Sequence, residues 1–212
     1  MPTEPQAHRV TVIMGVYNCG DTLAEALESL MSQSYRDFTT VICDDGSTDN
    51  TYGIASRYCE RHPGRFILLR NGRNLGLNHT LNECLRIAGG EYIARMDGDD
   101  VSLPERFEKQ VGFLDANPEY AIVSTPMIYF DSDGEWGVGN PSTVPAAKDF
   151  PRGTPFAHAA SMVRKEAMDA VGGYTVDNKL LRVEDYHLWI KLYQKGYSGY
   201  NLPEPLYKAR DD

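Results

Sequence analysis

The sequence is short of positive charge. Its 212 residues hold 21 Lys and Arg against 30 Asp and Glu, a formal charge of −9. A nucleic-acid binder shows a basic face, and a protein held on anionic lipid by its own charge needs basic clusters. The balance here excludes both as general roles. Cysteine is sparse as well: Cys19, Cys43, Cys59 and Cys84, with no CxxC pair and no Cys/His zinc spacing. They read as reduced thiols of a cytoplasmic protein, with a disulfide pair as the alternative. No run approaches the roughly 20 apolar residues of a membrane span. The N-terminal MPTEPQAHRV is polar and Pro-containing, unlike a signal peptide. No GxxxxGKS/T or GxGxxG follows a strand-like segment, and there is no GxSxG elbow. Calcium loops fail too. Counting from Asp97 puts Ser102 where glycine is required, and counting from Asp45 puts Asn50 there. Internal repeats and low-complexity tracts are absent.

What is present is a globular composition, 42% apolar and 24% charged. The length suits one generous domain spanning 1–212. Its first half alternates strand and helix signals. Arg9 to Tyr17 is a β-branched apolar run. Asp21 is placed to cap a helix from Thr22 to about Gln33, whose Leu23, Ala26, Leu27, Leu30 and Met31 make one stripe. Phe38 to Cys43 reads as a strand, Asp49 or Thr51 to Arg61 as a helix and Phe66 to Leu69 as a strand. Leu77 to Ala88 reads as a helix stopped by Gly89-Gly90, and Tyr92 to Met96 as a strand. Pro104 opens a fourth helix that ends before Asn117. Such units predict an α/β fold: a Rossmann-like, mostly parallel central sheet flanked by helices.

The second half loses the alternation. Tyr120 to Asp131 reads as one strand before a turn at Ser132-Asp133-Gly134, and Gly137 to Pro155 as a long loop. Ala159 to Val163 reads as a short strand, and Lys165 to Val171 as a helix. A last helix starts near Glu184 and ends at Gly196. The expected organisation is a nucleotide-binding half at about 9–100 and a smaller, irregular acceptor-side half at about 101–212. The chain is expected to continue beyond Asp212.

Ligands on parallel sheets bind at the carboxyl ends of strands, and the polar clusters fall there. Asp97, Asp99 and Asp100 crowd after the fourth strand. Like charges at a buried strand end repel, and a hard divalent cation relieves them; a solvated turn before a helix is the plainer reading. Asp44 and Asp45 end the second strand, with Asp49 in a structural capping role and Asp45 free to accept a hydrogen bond from a base or ribose. Tyr17 ends the first strand, where a base could stack. Glu184-Asp185 opens a helix; its N-terminus favours an ionised carboxylate, either as a plain cap or as a base. His158, read alone, is an ordinary core or loop histidine.

VTVIMGVYN, VICDDGSTDNT, NLGLNHTLNECL, GEYIARMDGDDVSLPERF and VEDYHLWIKL, in this order, resemble the family 2 inverting nucleotide-sugar glycosyltransferases of GT-A fold. The likeness runs from about Val10 to Arg210. It implies that Gly15, Val16 and Tyr17 line a nucleobase pocket and that Asp45 accepts the uracil imide hydrogen. Asn18, Asn74, Gly98 and His158 join the expected nucleotide-sugar set. Asp97 and Asp99 match the metal-site DxD motif, which implies Mn²⁺ or Mg²⁺. Asp185 matches the catalytic base, with Glu184 helping to place the acceptor. The implied partners are a UDP-sugar and a glycan or lipid-linked acceptor, at the inner face of the cell membrane. Two departures stand out. No Lys or Arg follows the NxG segment at Asn78-His79-Thr80-Leu81, so Arg70, Arg73 or His79 must serve a phosphate. The histidine many relatives carry after the last strand is missing from Lys208 to Asp212.

Three other readings compete with this one. Asp97 to Val101 fits the DxDxT/V pattern of haloacid-dehalogenase-like phosphohydrolases, but that family carries it on its first strand. A sugar nucleotidyltransferase expects a basic Gly-rich loop where GVYNCGD stands. A non-catalytic nucleotide-sugar-binding module would have no need of Asp185 in an open cleft.

Overall fold

The computed structural model describes residues 8–177 and 183–212. Most of the polar N-terminal segment, through Ala7, lies outside the described residues. Strands β1 (Val10–Val16), β2 (Phe38–Asp44), β3 (Phe66–Arg70) and β4 (Tyr92–Arg95) alternate with helices α1 (Leu23–Met31), α2 (Thr51–Arg61) and α3 (Leu77–Ile87). Then follow β5 (Val101–Ser102), α4 (Arg106–Ala116), β6 (Ile122–Ser124), β7 (Met127–Asp131) and β8 (Gly134–Val138). After a 3₁₀ helix at Ala147–Arg152 come β9 (Met162–Arg164), α5 (Lys165–Ala170), α6 (Glu184–Gln194), β10 (Gly199–Asn201) and β11 (Tyr207–Arg210).

A seven-stranded sheet has the order β10-β6-β9-β4-β1-β2-β3, parallel except where β9 pairs with β4 and β6. Alternation along β1 sends Val10, Val12, Met14 and Val16 into one core and Ile13 into the other. The first core takes α1, α2 and α4, through Leu27, Ala55 and Phe107. The second takes α3, α5 and α6, through Leu81, Met168 and Trp189. Burial on both faces explains why these strands read as continuous apolar runs. All four cysteines are free, and Cys43 and Cys84 are buried. No helix among the described residues is long and apolar enough to cross a membrane.

The segment expected as one strand from Tyr120 to Asp131 is two. β6 lies in the large sheet, whereas β7 joins a second, four-stranded sheet of order β5-β11-β7-β8. Pro126 stands at the break, because it brings no N–H to a ladder. The stretch expected as loop from Gly137 carries the end of β8 and the 3₁₀ helix. Asp21 does not cap α1. The residue before the helix is Thr22, whose hydroxyl donates instead to the Gly98 carbonyl at 3.1 Å.

Candidate active site

The loops after β1, β2 and β4 converge at the carboxyl edge of the large sheet. Asn18 adopts a left-handed conformation with φ of 49°, which asparagine tolerates. Its N–H donates to Ser47 Oγ at 3.0 Å, and its Oδ1 accepts from the Thr48 N–H at 2.9 Å. Asn18 therefore clasps two loops together. Asp49 accepts from the N–H groups of Gly20 (2.8 Å) and Thr51 (3.0 Å), the structural work expected of it.

Asp45 is buried, yet it borders open space. Its Oδ1 accepts from Asn71 Nδ2 at 2.7 Å and the Leu75 N–H at 2.9 Å, and its Oδ2 accepts from the Gly76 N–H at 2.9 Å. A carboxylate offers about four lone-pair sites, so roughly one is left for a ligand N–H. Gly15, Val16, Tyr17, Asp45 and Asn74 line one cleft of about 220 Å³, with Leu77 and Thr80 beneath. A Cβ at Gly15 would stand 3.0 Å from Leu77 Cδ1 and 3.2 Å from Thr80 Cγ2, so a side chain there would have to push those groups aside. Tyr17 is 46% exposed at the rim, its ring available to a flat partner. Asn18 and His158 are not part of this lining.

The acidic loop follows β4, the neighbour of β1 in the large sheet. Gly98 presses against the loop after β1: a Cβ there would meet Cys19 Sγ at 2.7 Å and Val16 Cγ1 at 3.0 Å. Beneath the loop Arg95 is buried, donating to the Asp97 carboxylate and the Met96 carbonyl. A second buried guanidinium, Arg106, donates to the carbonyls of Arg95 (2.8 Å), Ala159 and Ser161 (both 3.2 Å), and burial pushes its pKa down to about 10. From β11, the Tyr207 hydroxyl accepts from the Asp97 N–H at 3.1 Å, and Arg210 Nε donates to the Asp99 carbonyl at 3.1 Å.

Arg95 does not neutralise the whole cluster. Desolvation, then the charge of Asp97, raises the Asp99 carboxyl above its ordinary range. Burial, then Asp97, pushes Asp100 up to about 7. Both shifts come chiefly from burial and secondly from Asp97, and a hard cation would favour the ionised forms. No group of three or more His, Cys, Asp or Glu among the described residues is arranged to hold a metal. Asp97, whose carboxylate Arg95 already bonds, and Asp99 could at most share an ion with phosphate and water. That fits Mg²⁺ or Mn²⁺ better than an all-protein cage.

Burial pushes the Tyr174 phenol up, with Arg95 opposing and Asp97 and Asp185 adding less. The Tyr174 hydroxyl lies 2.8 Å from His158 Nε2. Burial, seconded by Arg95, holds His158 well below its ordinary pKa, so its ring is neutral. His158 packs edge-on to Trp189, with ring centroids 6.1 Å apart, beneath the site. Glu184 and Asp185 lie in the first turn of α6, and no side-chain cap hydrogen bond forms there. Asp185 Oδ2 instead lies 3.3 Å from the Thr154 hydroxyl.

Of the basic candidates for a phosphate, Arg70 is committed. Its Nε lies 3.0 Å from Asp44 Oδ2, and its guanidinium sits 4.4 Å above the Tyr52 ring. His79, in the first turn of α3, keeps a buried Nδ1 without a partner. Sequence reading missed Arg95, Tyr174, Tyr207 and Arg210. One signal was available: an arginine inside the otherwise apolar run Tyr92 to Met96, directly before three aspartates.

The sequence profile of Glycosyl transferase family 2 matches residues 11–175. EpsE of Bacillus subtilis (strain 168), a glycosyltransferase by name, is 45% identical over 204 residues, covering 96% of this chain and 73% of its own. Among solved structures, S. aureus TarS 1–349 in complex with UDP superposes with a TM-score of 0.79 at 22% identity, over 96% of this chain and 61% of that one. The mannosyltransferase PcManGT from Pyrobaculum calidifontis, in complex with GDP-Man and Mn²⁺, gives a TM-score of 0.73 at 24% identity, over 96% of this chain and 57% of that one. At these identities the two structures speak for the fold. The chain spans about three-fifths of their lengths.

Proposed function

The chain belongs to glycosyl transferase family 2, and from that footing we propose that it moves a sugar, with inversion, from a nucleotide sugar to a hydroxyl of a glycan or lipid-linked acceptor. The observation that carries this reading is the convergence of the Tyr17–Asp45 cleft and the Asp97–Asp99 loop at one sheet edge. Tyr17 stacks on the base while Asp45 accepts its imide N–H, and it is the family resemblance at Asp45 that favours uracil. Asn74 and Gly98 border the nucleotide. With Arg70 paired to Asp44, Arg73 or His79 serves the phosphate.

Asp97 and Asp99 would hold a divalent cation. Bound there, such an ion supplies Lewis-acid stabilisation of charge on a departing diphosphate. Asp185 takes the proton of the acceptor hydroxyl as that oxygen bonds to the anomeric carbon. The bond from carbon to diphosphate oxygen breaks, its electron pair leaves with the nucleoside diphosphate, and a single displacement inverts the centre. Glu184 places the acceptor beside it. The domain division at about residue 100 and the acceptor's membrane-side setting belong to the same reading.

A thermal-shift panel of UDP-, GDP- and dTDP-sugars, with and without Mn²⁺, tests this. One donor is expected to raise the midpoint only when metal is present, by mass action. Asp185→Asn should keep that shift while turnover falls by about two to four orders of magnitude. Equal turnover in a folded Asp185→Asn protein refutes the base assignment, and a flat panel refutes the donor reading.

A further inference from the structure

Beside Asp185 lies a second cleft, of about 370 Å³, bordered by Asn140, Ser142, Asp149 and Thr154 and by Pro145 and Pro155. The segment that forms it is firmly held. Asn201 Nδ2 donates to the carbonyls of Ser142 (2.8 Å) and Pro155 (3.0 Å), and the Asn201 N–H to that of Thr143 (2.8 Å). The Tyr193 hydroxyl donates to the Pro145 carbonyl at 2.8 Å. Hydroxyl, amide and carboxylate groups set among flat proline rings, with Asp149 Oδ2 already accepting from the Ala146 N–H at 2.9 Å, suit a polyol and disfavour an anion.

Thr154 is where this cleft meets the proposed base. Its hydroxyl has one proton and two acceptors in reach: the Phe156 carbonyl at 3.1 Å and Asp185 Oδ2 at 3.3 Å. A hydroxyl donates once but can also accept. We infer that Thr154 is a positioning residue that holds Asp185 through both halves of proton transfer at the mouth of an acceptor-sugar cleft. The inference rests on the proposed role of Asp185 as base. While Asp185 is ionised, Thr154 donates to Oδ2. When the acceptor's O–H bond breaks, its electron pair goes to the new bond with the anomeric carbon and its proton goes to Asp185. The new carboxylic O–H then donates to Thr154 Oγ1, and the threonine proton turns to the Phe156 carbonyl. The carboxyl group thus keeps its orientation without a new partner.

Thr154→Val and Thr154→Ser test this through nucleoside diphosphate release to water from UDP-glucose, UDP-GlcNAc and GDP-mannose, with Mn²⁺. Water here takes the acceptor's place. Thr154→Val should lose about tenfold or more in kcat, keep its donor KM within about twofold and melt like the parent protein. Thr154→Ser should restore kcat. Full turnover by Thr154→Val, with Asp185→Asn inactive, overturns the inference and leaves the transferase reading standing. Failure of Thr154→Ser to restore kcat also overturns it, because the loss would then lie in packing. No release by the parent protein from any of the three donors overturns the transferase reading and this inference with it.

Discussion

The backbone N–H of Arg210 donates a 2.8 Å hydrogen bond to Asp100 Oδ1, so the last strand closes on the acidic loop across 110 positions of sequence. The Arg210 side chain continues the clasp, bonding the Asp99 carbonyl and, at 2.6 Å, Glu25. Asp100→Ala should cost about 1–3 kcal/mol by orphaning that N–H. Asp100→Asn keeps an acceptor oxygen and sheds a charge that burial disfavours, so it should melt no lower than the parent protein. Urea titrations in EDTA read the first effect. A Mn²⁺ titration should show weaker binding for Asp100→Ala than for Asp100→Asn.

Asp45 gathers three donors from the segment 71–76. Asp45→Ala leaves two backbone N–H groups and the Asn71 amide without it, and should lose about 3 kcal/mol of stability. Nucleotide binding should vanish with it, since the same carboxylate borders the cleft. Denaturant melts combined with UDP calorimetry decide. A variant that stays stable and binds UDP normally contradicts both roles.

Tyr17 is different in kind, because half its surface is open and it supports little of the core. Stacking on a base is worth about 1–3 kcal/mol, so Tyr17→Ala should weaken UDP roughly 5- to 150-fold with the melting point unchanged. Tyr17→Phe should bind like the parent protein, because the ring face carries the contact.

His158 gives the site's support a pH dependence. Its pKa is depressed in the folded protein, so the imidazole is neutral there, while the unfolded chain takes up a proton near pH 6.5. The unfolded state then binds more protons, and stability falls as pH drops below about 6.5, by roughly 1.4 kcal/mol per unit. Above that pH the contribution is fully present. His158→Gln should flatten this slope between pH 6.5 and 5. An unchanged slope would show that His158 titrates normally in the folded protein.

The alternating half was legible because β1, β2 and β4 are buried on both faces and each helix has one apolar stripe. Leu23, Leu27 and Leu30 repeat at helical spacing, and Val10 to Val16 does not alternate in polarity. The second half was harder for physical reasons. β5, β10 and β11 have two to four residues, too few for any period to show. β11 draws its stability from partners distant in sequence, and Lys208 and Arg210 gave it the look of a polar tail. β8 was within reach, since Asp133-Gly134 is a hairpin turn signal that calls for a second strand. The carboxylates of the proposed site stand out in the sequence because charge at strand ends is costly and therefore conspicuous. Their neutral or buried partners, Tyr174, Tyr207 and Thr154, look in a sequence like any other packing residue.

The most direct test is anomalous scattering from crystals soaked with MnCl₂ and UDP. A manganese peak beside the Asp99 carboxylate, shared with the diphosphate, is predicted, with uracil over Tyr17 and its imide N–H on Asp45. Nucleotide bound in another cleft, or bound here with no manganese near Asp97 and Asp99, contradicts the account.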